Sequence, residues 1–312
     1  MSQYKNIAFQ GNLWTRSTTS SYETRNSFRW LNKESKILTI GSCFATNFGR
    51  WISKHGISTT TPPWGLHYNS KTILNELENC LGIPTQQITW QVTDNENVTH
   101  FFDAKRHPIF ANTADELATI RAGLTEAGSK AISDATAFLI TVGLTEIWEQ
   151  YEADNWHCIN RSPMKGISDQ APPVFRNRFQ TVAEIKKDIK HIVNTLNPNA
   201  KRDLPIVFTT SPIPLKTSGM NYDPRIANVR SKSNLIAAIH EFLDENPSLS
   251  NVSYFPAFEM FYQAPDYDES WQRDGRHVTA KKIDEVCRMF INIYALDPAV
   301  FEKAIDFQVP EV

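Results

Sequence analysis

Ser42, Asp274 and His277 are the residues of this chain whose types and spacing best suit nucleophilic chemistry. Ser42 stands in "ILTIGSCFATNFGRWI", residues 37 to 52, beside a second candidate nucleophile, Cys43. His277 stands in "WQRDGRHVTA", three residues after Asp274. A serine hydroxyl is a weak nucleophile at neutral pH. It needs an imidazole to take its proton and a carboxylate to fix the imidazole tautomer. With Asp274 accepting from His277 Nδ1–H, Nε2 is left to face Ser42. The developing oxyanion would then be met by the Ser42 backbone N–H and by donors from neighbouring loops. Spacing alone leaves other readings open: Ser42 as a plain helix N-cap, Cys43 as the nucleophile, and Asp274 with His277 as a surface cap before the last helix.

The elements that must position these groups follow from periodicity. Ile37, Leu38 and Ile40 suit a short buried strand, and Phe44, Phe48, Trp51 and Ile52 recur at helical spacing up to Gly56. Further buried strands are expected in "TAFLITVG", "LPIVFTTSPIPL" and "NVSYFPAFEM". Helices are expected from Asn69 or Ser70 to Cys80, in "TADELATIRAGLTEAGSKAISDA", in "TVAEIKKDIKHIVNTLNP", in "RIANVRSKSNLIAAIHEFLDENP" and in "VTAKKIDEVCRMFINIYAL". Short strands alternating with longer helices predict a parallel sheet covered on both faces. Such a sheet carries its site beyond the carboxyl ends of the strands. Those ends are Gly41-Ser42-Cys43, Gly143-Leu144-Thr145-Glu146 and Thr210-Ser211-Pro212. Residues 1–35 read as an N-terminal arm, and 36–312 as one α/β domain with insertions at 85–113, a small hairpin, and 151–180, a loop-rich stretch.

Composition limits the partners. The chain has 312 residues, a net charge of −2 and no block of five like charges, which argues against nucleic acid. No stretch approaches the length of a membrane span, and the first residues lack the pattern of a signal peptide. Four scattered cysteines without a CxxC pair favour reduced thiols in a cytoplasmic protein, and the histidines lack metal-ligand spacing. Neither a metal nor a cofactor is expected.

"LTIGSCFATNFGRWI" resembles the opening motif of the GSCFA family, which looks related to the SGNH (GDSL-type) hydrolases. "PPWGLHYN", "TVGLTEIWE", "TTSPIPLKT", "NVRSKSNLIAAI", "YFPAFEM" and "DGRHVT" resemble later blocks in the same order, from about residue 36 to 295. The resemblance implies a flavodoxin-like three-layer α/β/α sandwich with Ser42 as nucleophile, His277 as base and Asp274 as its orienting carboxylate. Gly65 and Thr145 fall where the wider superfamily supplies oxyanion donors, and Gly143 is an oxyanion or substrate-binding candidate beside Thr145. This chain departs from that superfamily twice: Gly-Asp-Ser becomes Ile40-Gly41-Ser42, and Gly-x-Asn-Asp becomes Gly143-Leu144-Thr145-Glu146. A threonine hydroxyl has a shorter reach than the amide it replaces.

The implied activity is hydrolysis of O-acyl esters, acetyl being the simplest, on carbohydrate or another small molecule. An O-acyltransferase drawing on an acyl donor and a carbohydrate-binding module without turnover are the alternatives. His67, in "WGLHYN", is either a substrate contact or a hydrogen-bonded loop residue. Lys232 either binds an anionic or sugar group or is a solvated helix residue. Glu146 is expected to hold Arg276 or a backbone donor. Trp64, Trp148 and Trp271 present rings suited to sugars or acyl chains, or else fill core.

Overall fold

The computed structural model describes residues 28–167, 173–197, 203–262, 267–303 and 305–309. Most of the expected N-terminal arm, residues 1 to 27, lies outside the described residues. In chain order the strands are β1 (Lys36–Gly41), β2 (Ser58–Thr60), β3 (Thr89–Thr93), β4 (Thr99–Asp103), β5 (Phe110–Ala111), β6 (Ala137–Val142), β7 (Glu146–Glu152), β8 (Asn155–Ile159), β9 (Phe175–Phe179), β10 (Ile206–Thr210) and β11 (Val252–Phe255). The α-helices are α1 (Cys43–Lys54), α2 (Ser70–Cys80), α3 (Ala114–Asp134), α4 (Val182–Leu196), α5 (Pro224–Glu245), α6 (Ala257–Tyr262) and α7 (Ala280–Tyr294).

Five strands pair in parallel in the order β11-β10-β6-β1-β2. Numbered by appearance within that sheet, the order is 2-1-3-4-5 from the β2 edge, that of a doubly wound sheet whose switch point lies between β1 and β6. Alternate residues of these strands face opposite sides. Leu38, Ile40, Phe138, Ile140, Ile206 and Phe208 pack under α2, α4 and α5. Ile37, Ala137, Leu139, Val207 and Phe255 pack under α1 and α7. This is a mixed α/β protein consistent with a three-layer arrangement, each layer closed by apolar burial. No helix among the described residues is long and apolar enough to cross a membrane.

Caps set where the helices begin. Ser42, Asn69 and Thr279 accept N–H groups at the starts of α1, α2 and α7. Thr181 and Glu184 form a reciprocal capping box at α4. At α3 the Thr113 hydroxyl accepts the Glu116 N–H, while the Glu116 carboxylate reaches back to the Asn112 N–H.

Two antiparallel sheets flank the carboxyl ends of the central one. β3-β4-β5 is three-stranded where a hairpin was expected. β8-β7-β9 occupies much of the stretch expected to be loop-rich. Strand β9 carries Arg176 and Arg178, which gives it no apolar alternation to detect. Its stability comes from across the sheet, where both guanidinium groups meet Glu149 of β7 at 2.6 and 2.7 Å. The Trp90 indole N–H donates to Gln150 Oε1 at 2.7 Å and ties β3 to β7.

Candidate active site

The turn between β1 and α1 needs a glycine. Gly41 has φ +129°, and a Cβ there would stand 2.0 Å from the Thr141 carbonyl oxygen. This close approach to β6 delivers Ser42 to the switch point as the N-cap of α1. Its Oγ accepts the Phe44 N–H at 3.3 Å and donates to Ser211 Oγ at 3.1 Å. Gly143, at the end of β6, lies against the same spot: a Cβ on it would be 3.8 Å from Ser42 Cβ and 3.7 Å from Ser211 Cβ. The ends of β1, β6 and β10 therefore converge on Ser42.

The dyad at the far end of the chain is formed. His277 Nδ1 lies 2.5 Å from Asp274 Oδ2, and Asp274 Oδ1 accepts the backbone N–H groups of Arg276 and His277. These bonds to His277 and Arg276 hold the Asp274 carboxyl down at about 2. On the other side of the ring, Arg276 Nη1 is 3.3 Å from His277 Nε2. A guanidinium only donates, so Nε2 is the acceptor and Nδ1 carries the hydrogen toward Asp274.

Ser42 and His277 are not hydrogen-bonded to each other. The loop after β10 links them instead: Ser211 holds Ser42, and the Pro214 carbonyl accepts Arg276 Nε at 3.1 Å. Between these two contacts, Lys232 Nζ of α5 donates to the Ile213 carbonyl at 3.0 Å and to the Gly143 carbonyl at 2.6 Å. Lys232 is 1% exposed, so it is not a solvated helix residue, and its amine is given to these two carbonyls. Burial pushes its amine down to about 7, with Cys43 opposing and Arg276 reinforcing the shift. For Cys43, burial pushes the thiol up, and Arg276 and Lys232 only partly offset it. A protonated, half-buried thiol is a poor nucleophile.

The expected oxyanion groups are committed elsewhere. The Gly65 N–H donates to the Pro62 carbonyl and the Gly143 N–H to the Tyr68 carbonyl. Thr145 is fully buried, and both its N–H and its hydroxyl meet Ser231 Oγ at 3.2 Å. The Cys43 N–H, first in α1, has no carbonyl of its own helix to bond and lies against its own thiol.

His67 binds the β1 turn through its backbone, donating to the Gly41 carbonyl at 3.1 Å. Its ring is buried near Glu76 and Arg106, and burial drives its pKa down to about 4. Glu146 holds a loop, not Arg276: it accepts the Ser218 hydroxyl at 2.7 Å and the Gly219 N–H at 2.6 Å. Trp64 is core and Trp271 packs on Phe261 and Tyr262, whereas Trp148 lines an open cleft with Tyr68 and Leu144. Ser211 and Arg276 are the two contact residues that spacing did not single out. Ser211 does stand at a strand end, which is the one signal that pointed to it.

The family-level comparison agrees with this geometry in extent. The GSCFA family model matches residues 36–290, from the first residue of β1 into α7. The chain belongs to the GSCFA family. In this GSCFA protein the matched span holds Ser42, Ser211, Lys232, Asp274, Arg276 and His277 together. No protein of curated function matches the chain.

Proposed function

We propose that this GSCFA protein is a serine-dependent hydrolase of the SGNH type acting on O-acyl esters, acetyl being the simplest, of carbohydrate or polysaccharide. The observation that carries the reading is the state of His277, whose Nδ1 side is given to Asp274 while Nε2 accepts, the tautomer a general base needs. Ser42 stands at the switch point of the sheet, one short loop away.

In the resting arrangement Arg276 occupies Nε2 and Ser211 occupies the Ser42 hydroxyl, so both contacts give way when substrate enters. Ser42 Oγ then bonds to the acyl carbon, its proton passes to Nε2, and the carbonyl electron pair moves onto oxygen. The Ser42 backbone N–H, joined by that of Cys43 at the start of α1 once it turns from its own thiol, meets that oxygen. Collapse breaks the ester bond, and the departing alcohol takes the proton from Nε2. Water repeats the sequence on the acyl-enzyme, yielding the carboxylic acid and free Ser42. A sugar hydroxyl in place of that water turns the same chemistry into O-acyl transfer.

Ser42→Ala and His277→Ala are each expected to lower kcat about a thousand-fold or more on an acetyl ester while circular dichroism stays unchanged. Cys43→Ala is expected to keep most of the activity. Full turnover in Ser42→Ala would remove the nucleophile from this assignment. One observation favours a second reading, a carbohydrate-binding protein without turnover: the N–H groups of Gly65, Gly143 and Thr145 all have other acceptors. Under that reading the wild type hydrolyses nothing and Ser42→Ala binds glycan as well as the wild type does.

A further inference from the structure

Past Leu144, the residue after Gly143, the surface opens into a cleft of about 350 Å³ lined by Tyr68, Leu144, Trp148, Arg161 and Leu215. That is the volume of a small-ligand site. One residue separates the cleft from the buried nucleophile: the carbonyl of Tyr68, which lines the cleft, takes the N–H groups of both Gly143 and Leu144, and Gly143 lies against Ser42. Tyr68 also lies within electrostatic range of Cys43 and Arg276.

Arg161 sets the chemistry of this cleft. The other arginines of the two flanking sheets and their connections have carboxylate partners: Arg106 on Glu76 at 2.5 Å, Arg121 on Asp103 at 2.7 Å, Arg176 and Arg178 on Glu149. Arg161 has no carboxylate partner among the described residues. Its Nη1 reaches only the Asp103 carbonyl oxygen, at 3.4 Å, while its guanidinium lies over the rings of Phe102 and Trp90 at 5.0 and 5.8 Å. Half-burial disfavours the charge, and the nearby Asp103 carboxylate, already paired with Arg121, only partly offsets this. His107, which also borders the cleft, is held toward its neutral form by burial and by Arg161. The one acid of the lining, Glu146, has its two oxygens committed to Ser218 and Gly219.

We infer that this cleft receives the alcohol portion of the ester, and that this portion is an acidic sugar whose carboxylate or phosphate is held by Arg161. The inference rests on the serine-esterase reading for the word ester, and on the cleft alone for the anion. A guanidinium fork binds carboxylate or phosphate through two parallel N–H groups, which a neutral sugar cannot match. The indole of Trp148 and the phenol of Tyr68 give the apolar walls that a sugar ring needs.

Calorimetry on Ser42→Ala protein tests the anion without any need for turnover. Methyl glucuronide and glucose 6-phosphate are titrated against methyl glucoside, with Arg161→Gln and Arg161→Lys alongside. At least one acidic ligand is expected to bind ten-fold or more tightly than methyl glucoside, and the better of the two names the anion. Arg161→Gln is expected to bring the ratio to about one, and Arg161→Lys, which keeps charge without the fork, to leave it in between. Equal binding of acidic and neutral sugars, or a preference that survives in Arg161→Gln, would overturn the inference. The acetyl esters of the same sugars, given to wild-type protein, then separate the two claims. Acid-selective binding without hydrolysis would sink the esterase reading and keep the anion site.

Discussion

At Lys232 the side chain has two carbonyl partners, and a neutral amine has two N–H groups to give them. Burial lowers this amine to about 7 in the folded protein, against about 10.4 in an unfolded chain. Between those values the unfolded state binds more protons than the native one, so stability rises with pH across that window. Below about pH 7 both states are protonated and the burial penalty is felt in full. Lys232→Met removes the group, so urea unfolding at several pH values is expected to show the wild type gaining stability relative to the variant from pH 7 to 9. A constant difference across that range would mean the amine stays charged. Cys43, a protonated thiol, and Arg276 face this amine, and the Arg276 charge belongs in the comparison. The sequence marked Lys232 as a contact or a solvent-facing residue because helix periodicity says nothing of which loops cover a helix. The pairing of Asp274 with His277 and the place of Ser42 at a strand end were legible from type, spacing and ordered motif blocks, whereas Nε2 meets Arg276 where Ser42 was expected. Arg276 was not, since its role depends on the Pro214 loop lying beside it.

The element that matters most is the turn from β1 into α1. Its geometry rests on Gly41, where positive φ and the nearness of Thr141 both exclude a side chain. Gly41→Ala is expected to cost roughly 3 kcal/mol or more, because the β1–β6 pairing must part to admit a methyl group. Urea denaturation measures the loss, and a midpoint equal to the wild type's would mean the turn is not strained as described. The central strands were legible because they are continuous apolar runs buried on both faces. β9 was not, because its arginines find Glu149 only after β7 lies beside them. The same holds for Thr145, whose hydroxyl turns to Ser231 on a helix that follows in sequence by more than eighty residues.

Across the whole molecule, the strand order puts Ser42 and Gly143 on either side of the switch point, and the two flanking sheets raise a wall beside them. The alternation of strands and helices announced a covered parallel sheet. The pairing of the smaller sheets, and hence the cleft, depends on long-range contacts such as Trp90 with Gln150 that no local pattern carries. Asp274 and His277 come from the far end of the chain and are anchored by Arg276 to the loop that also holds Ser42. The most direct check on this assembly is mass spectrometry after treatment with a serine-directed fluorophosphonate. One adduct on Ser42, lost in both Ser42→Ala and His277→Ala, is the expected result. An adduct that maps to Cys43, or labelling of Ser42 that persists at full rate without His277, would contradict a serine activated by that histidine.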